Sequence, residues 1–300
     1  MQTDQRSRPV AVLFDSSLGD GIEQVLALAT LLASDTAREA RLGALTVSRH
    51  SLEIAAFADL MVRFYRGEEP GTGPEGASIP VGMSDPESAL DTVPPIVAAV
   101  VDRAGAGGAP LYPRAIQKLN DTADPVAVLR NALTAQPDQT AVIVLSGPPV
   151  NLLGLLALPE GPELVRRKAR ELVVASRAEG DSFSDLFDAW PGPVVLSRDD
   201  LNVSYPAMAV EQDFGWAMDH PFVDAYRASG AMGSGIPAYA AAAVLHAVHP
   251  DEYFSLSDAE GDRPAHRRLT ADAFGRDRAG GAIRELVAAR PPEPRRGRGG

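Results

Sequence analysis

The chain has 300 residues, 45% of them hydrophobic, and its 40 Asp and Glu against 28 Lys and Arg give a formal net charge of -12. That length can bury one substantial interior, and the acidic balance argues against nucleic-acid or anionic-membrane partners, which attract clustered positive charge. With no cysteine, disulfides, thiolate metal sites and cysteine nucleophiles are excluded, so any catalysis rests on oxygen and nitrogen side chains.

The opening MQTDQRSRPV lacks the apolar segment of a signal peptide, and no run approaches the roughly 18 apolar residues of a membrane span. The expectation is a cytoplasmic protein with a polar N-terminal arm over residues 1–8. Val10 to Phe14 is an apolar run ending in Asp15; Gly19 and Gly21 then break the chain before Ile22, Val25, Leu26, Ala29 and Leu32 recur at helical spacing. Leu42 to Val47 predicts a second strand, followed beyond Ser48, Arg49 and His50 by a helix carrying Ile54, Phe57, Leu60, Met61 and Phe64. Ile79 to Met83 predicts a third strand. The Pro- and Gly-rich stretch from Ser84 to Thr122 reads as a long surface excursion over the sheet end.

Asp124 and Pro125 open a helix through Leu133, and Thr140 to Leu145 predicts a buried strand that Gly147-Pro148-Pro149 turns into a helix with Leu152, Leu153 and Leu156. Further strands are predicted at Leu172 to Val174 and Val194 to Leu196, and an Ala-rich helix at Ala238 to Val248. Strands alternating with helices imply one large α/β domain over residues 9–288, a mostly parallel open sheet with helices on both faces. The Arg, Gly and Pro tail over 289–300 is expected to be disordered. Arg-over-Lys usage and abundant Ala suggest a GC-rich bacterial genome.

In open α/β sheets ligands collect beyond the carboxyl ends of the strands, which places Asp15, His50, Ser146 and the loop after Leu196 at one crevice. The segment Phe14-Asp15-Ser16-Ser17-Leu18-Gly19-Asp20-Gly21-Ile22-Glu23-Gln24-Val25 resembles the inosine-uridine-preferring nucleoside hydrolase family, whose first loop runs D-x-D-x-G, a spacer, then D-D-A-L-A. Leu42 to Val47, the Ser146-Gly147-Pro148-Pro149-Val150-Asn151-Leu152 turn, Trp190 to Ser197 and Asp219-His220-Pro221 through Arg227 are similar to later blocks, so the resemblance spans roughly Pro9 to Leu269. It implies a nucleoside hydrolase-like fold, a small-molecule substrate and a homo-oligomer. In that family clustered carboxylates and a strand-end carbonyl hold a Ca²⁺ that binds the ribose diol and the attacking water.

Carried over residue by residue, the first acid remains as Asp15, the second becomes Ser17, the third Glu23, the fourth Gln24, and the distal metal aspartate aligns with Ala240. Ca²⁺ takes 6 to 8 oxygen ligands; Asp15, Gln24 and the Ser146 carbonyl are the residual candidates, with Asp20 or Glu23 able to swing in, so no obligatory metal is expected. The segment Ala178-Glu179-Gly180-Asp181-Ser182-Phe183-Ser184-Asp185 also lacks the family's ribose-binding pattern. The resulting expectation is an enzyme acting on a small hydroxylated or glycosidic molecule, with Asp15 and Glu23 as acid and base and Ser17, Asp20, Gln24, His50, Asn151 and Arg177 as substrate contacts. Repurposing for biosynthetic tailoring accords with the lost ligands. The alternatives are conventional Ca²⁺-dependent N-ribosyl hydrolysis and a catalytically silent binding or scaffold protein. Arg49 and Arg177 are candidates for an anionic group, Asp199 and Asp200 for a carboxylate pair, and His246 and His249 share a helical spacing without a third metal ligand nearby.

Overall fold

The computed structural model describes residues 9–68, 79–88, 92–112, 114–177, 183–231, 233–258 and 265–292. The N-terminal arm 1–8, tail residues 293–300 and residues 178–182 of the expected substrate segment lie outside the described residues.

The first half is built of β1 (Val10–Ser16), α1 (Ile22–Thr36), β2 (Ala40–Val47), α2 (Leu52–Tyr65), β3 (Val81–Met83), α3 (Pro95–Val101), α4 (Pro125–Thr134), β4 (Ala141–Ser146) and α5 (Val150–Leu156). The second contains α6 (Gly161–Lys168), β5 (Ala169–Ser176), α7 (Ser184–Ala189), β6 (Val194–Arg198), β7 (Ser204–Tyr205), α8 (Ala207–Asp213), α9 (Pro221–Ala228), β8 (Ile236–Pro237), α10 (Tyr239–Val248), β9 (Ser255–Leu256), β10 (His266–Thr270) and α11 (Ala273–Val287). An eight-stranded sheet runs in the order β3-β2-β1-β4-β5-β6-β10-β9, parallel throughout except for the β9–β10 pair. β7 and β8 form a separate two-stranded pair.

Consecutive strand residues face opposite sides, and both sides are apolar because both are covered by helices. Val12 and Phe14 join a core with α1, α2, α10 and α11, whereas Leu13 joins a second core with α4, α5, α6 and α7. Asp15 continues the parity of Leu13, so its side chain turns toward the α5 side. Side-chain caps fix two of the helix starts: Ser51 caps α2 through Ile54 N, and Asp124 caps α4 through Val126 N and Ala127 N.

The stretch 84–122 differs from the expected surface excursion. It contains α3, whose Ile96, Val97, Val100 and Val101 are buried, and it also buries Tyr112 and Ile116. Asp59 anchors the segment after α3 by accepting a backbone bond from Ile116 N at 3.3 Å and another from Ala115 N. The physical reason is local: Pro94-Pro95 starts a helix whose apolar residues recur at i, i+1, i+4 and i+5, a pattern masked by the surrounding Gly and Pro. Of the expected tail, residues 289–292 are described, and Arg290 lies over the Trp216 ring at 5.5 Å. Among the described residues no helix is long and apolar enough to cross a membrane.

Candidate functional site

The parallel register brings Asp15 opposite Thr46 on one side and Leu145 on the other. The loops after β1, β2 and β4 therefore meet at one sheet edge. Ser48 N donates to Ser16 O at 3.0 Å and Ser17 N to Ser146 O at 3.3 Å. These loops touch so closely that a Cβ at Gly147 would stand 2.6 Å from Ser17 N and 2.9 Å from Ser48 Oγ, which requires glycine there. Leu18 adopts φ 50°, a left-handed conformation unusual for an L side chain, and is fully buried.

Asp15 is fully buried. Its Oδ1 accepts from Thr46 Oγ1 and from Asn151 Nδ2, both at 2.8 Å. Asn151 Nδ2 also reaches Val47 O at 3.2 Å, and its Oδ1 accepts from Ser84 Oγ at 2.7 Å. Asp15 Oδ2 is buried without a hydrogen-bond partner. Burial removes water from the carboxylate and outweighs the bonds from Asn151 and Thr46, so the carboxyl is pushed up from 3.8 to about 7.

Glu23 and Gln24, on the first turn of α1, diverge. Glu23 Oε1 accepts from Tyr239 OH at 3.0 Å and lies 3.4 Å from Arg177 Nη2. Burial, then the Glu23 charge, push the Tyr239 hydroxyl well above its ordinary range, so it remains a donor. The Glu23 charge raises Arg177 in turn, although the Arg177 side chain is 63% exposed. Gln24 Nε2 donates to Ser17 Oγ at 2.8 Å and its Oε1 accepts from Asp20 N at 3.3 Å. Asp20 Oδ2 pairs with Arg49 at 3.2 Å.

The predicted residues thus fall into three groups, one of them Ser17, Asp20 and Gln24 with Arg49. Asn151 joins Asp15, whereas Arg177 joins Glu23, and no hydrogen bond links Asp15 to Glu23 among the described residues. His50 turns its Nδ1 to Ser84 O at 2.8 Å. The Ser146 carbonyl accepts from Ser16 Oγ at 2.9 Å as well as from Ser17 N, and Ala240 is fully buried on α10. Asp200 is exposed and pairs with Arg268 at 3.1 Å. His246 Nδ1 meets Pro250 O at 3.2 Å, while His249 lies between Glu39 and Glu252 at 3.4 and 3.5 Å. No group of three or more His, Asp or Glu with metal-site geometry occurs among the described residues.

Sequence reasoning missed Thr46, Ser84 and Tyr239 as members of these networks, and missed the state of Ser48 and Arg49: Ser48 Oγ and Arg49 Nε, like Asp15 Oδ2, are buried and unpartnered. The strand-end position of Thr46 and Ser48 was a usable signal. Nothing local marks Tyr239, which lies 216 positions from Glu23.

No protein-family profile and no curated protein sequence matches the chain. Similar solved structures include the type III effector protein XopQ complexed with adenosine diphosphate ribose, at TM-score 0.68 and 12% identity over 95% of each chain. The effector protein XOO4466 is similar at TM-score 0.65 and 11% identity, over 93% of this chain and 94% of its own. The inosine-uridine preferring nucleoside hydrolase from Bacillus anthracis is similar at TM-score 0.61 and 12% identity, over 93% and 99%. The chain has a nucleoside hydrolase-like fold, a single domain around a large, mostly parallel sheet. At these identities the likeness concerns the fold.

Proposed function

We propose that this protein is an enzyme acting on a small hydroxylated or glycosidic molecule, with Asp15 as its acid/base group and without obligatory calcium. The observation that supports this reading most is the Asp15 carboxyl, with a value of about 7 and one buried oxygen lacking any partner. A general base works best with a pKa near the operating pH, and a perturbed, unsatisfied group at a strand end is where a functional role is expected.

In this reading Asp15 Oδ2 takes the proton of an attacking water or hydroxyl while the glycosidic bond breaks and the leaving group departs with its electron pair. The sugar carbon passes through a cationic, oxocarbenium-like state. Glu23, the second carboxylate of the proposal, is held in place by Tyr239 and Arg177 and stabilises that charge.

The donor set fits calcium poorly. Hard Ca²⁺ requires 6 to 8 oxygens, several of them carboxylates. Here the Ser146 carbonyl already accepts two bonds, the Gln24 oxygen accepts one, and Glu23 is engaged elsewhere. The unpaired Asp15 Oδ2 is the one feature that favours the conventional calcium reading, as a single remaining ligand. Chelator-treated protein incubated with inosine, uridine and adenosine diphosphate ribose, the last being the ligand bound to XopQ, separates the two. Product release that persists in chelator and vanishes in Asp15→Asn is expected; activity lost in chelator and restored by Ca²⁺ overturns the proposal.

A further inference from the structure

Both hydrogen bonds to Asp15 fall on the same oxygen, and the surroundings of each donor keep it there. Thr46 lies opposite Asp15 in the parallel register of β1 and β2. Its fully buried hydroxyl has Asp15 Oδ1, at 2.8 Å, as its one hydrogen-bond partner among the described residues. Asn151 reaches the same atom from the first turn of α5. Its Nδ2 meets Asp15 Oδ1 at 2.8 Å and Val47 O at 3.2 Å, and a backbone carbonyl can only accept. Its Oδ1 meets the Ser84 hydroxyl at 2.7 Å. Reversing the amide would set its oxygen against Val47 O, so the NH2 group stays turned to Asp15.

A neutral carboxyl carries its proton on one oxygen and keeps the other as a carbonyl. A proton on Oδ1 would face two donors, and at least one of the two bonds would be lost; each is worth about 1 kcal/mol net in a folded protein. Oδ2 has no partner to disturb.

We propose that Thr46 and Asn151 are positioning residues that hold Asp15 Oδ1 as the carbonyl of the neutral acid, so that the transferable proton resides on Oδ2. The orientation stands on the hydrogen bonds alone, while its consequence for turnover rests on the reading of Asp15 as the acid/base group.

Infrared difference spectra, wild type minus Asp15→Asn, recorded in chelator at pH 5, test the orientation without turnover. The carboxyl is neutral there, the other carboxyls cancel, and a C=O stretch moves to lower wavenumber as its oxygen accepts more donors. Wild type is expected to show the low band of a carbonyl with two donors. Thr46→Val, similar in shape but lacking the donor, raises the band; Thr46→Ser, which keeps the hydroxyl, leaves it in place. In turnover, Thr46→Val is expected to lower kcat about tenfold with KM unchanged, and Thr46→Ser to recover it. A band at the position of an unbonded carbonyl, or one that does not move in Thr46→Val, overturns the proposal, as does a raised KM with kcat unchanged. Turnover indifferent to Asp15→Asn, beside the expected band shift, upholds the orientation and overturns the acid/base reading alone.

Discussion

The two carboxylates of the crevice are both buried yet solved in different ways. Glu23 has a phenol donor and a guanidinium within reach, and its environment extends to the solvent-exposed Arg177. Asp15 has only two neutral donors, both on one oxygen, and burial prevails. The contrast teaches that depth alone does not set the environment of a carboxyl: one has a phenol and a guanidinium within reach, while two neutral hydrogen bonds on a single oxygen leave the other poised near neutrality.

The largest expected effect concerns the pH dependence of stability. Asp15 is raised from 3.8 to about 7 in the folded state. Below the unfolded value the carboxyl is neutral in both states and imposes no penalty; stability is lost as pH rises toward 7, and the full cost, at most ~4 kcal/mol, applies above it. Asp15→Asn keeps an acceptor for Thr46 and Asn151 and removes the charge. Thermal unfolding should therefore show the variant clearly more stable than wild type at pH 8.5 and close to it at pH 4. Equal differences at both pH values would break the contrast between the two carboxylates.

Asn151→Ala comes next, because it strips the buried Asp15 of one of its two donors and removes the Asn151 bonds to Ser84 Oγ and Val47 O, which remain bonded to each other at 3.0 Å. A loss of about 1–3 kcal/mol, read from denaturant midpoints, follows from the buried donor that Asp15 loses. Tyr239→Phe removes one bond to Glu23 while Arg177 remains, and about 1 kcal/mol is expected. Arg177→Gln is the mildest; at 3.4 Å, with the guanidinium 63% exposed, the pair contributes below about 1 kcal/mol, and less at high salt. A larger effect for Arg177→Gln than for Tyr239→Phe would show that the guanidinium, not the phenol, compensates Glu23. For catalysis, kcat/KM should rise with pH through about 7 and level off above it, since the base must be ionised; a flat profile would remove Asp15 from the reaction.

Much of the sheet is legible in the sequence because its strands are short apolar runs separated by amphipathic helices and strong breakers, as at Val10–Ser16 followed by Gly19 and Gly21. β10 and α11 are harder to see: His266–Thr270 reads HRRLT, and α11 mixes three arginines and an aspartate with Gly-Gly, so neither carries a clear apolar period. α3 is hidden by its Pro and Gly neighbours. At the site, Asp15 is legible from its strand-end position, and the Ser17–Gln24 contact is local enough to expect. The Glu23–Tyr239 and Asp15–Asn151 bonds span 216 and 136 positions, and no periodicity encodes such pairs. Nor does a sequence reveal which polar atoms remain unpaired; that depends on the packing of three loops around Gly147.

The central claim, a neutral-pH carboxyl at Asp15 independent of calcium, is most directly tested by ¹³C-carboxyl NMR titration of chelator-treated wild type against Asp15→Asn. The account predicts one resonance, absent in the variant, that titrates near 7 and does not move when Ca²⁺ is added. A midpoint near the ordinary 3.8, or a Ca²⁺-induced drop of that midpoint with stoichiometric metal uptake, would contradict it.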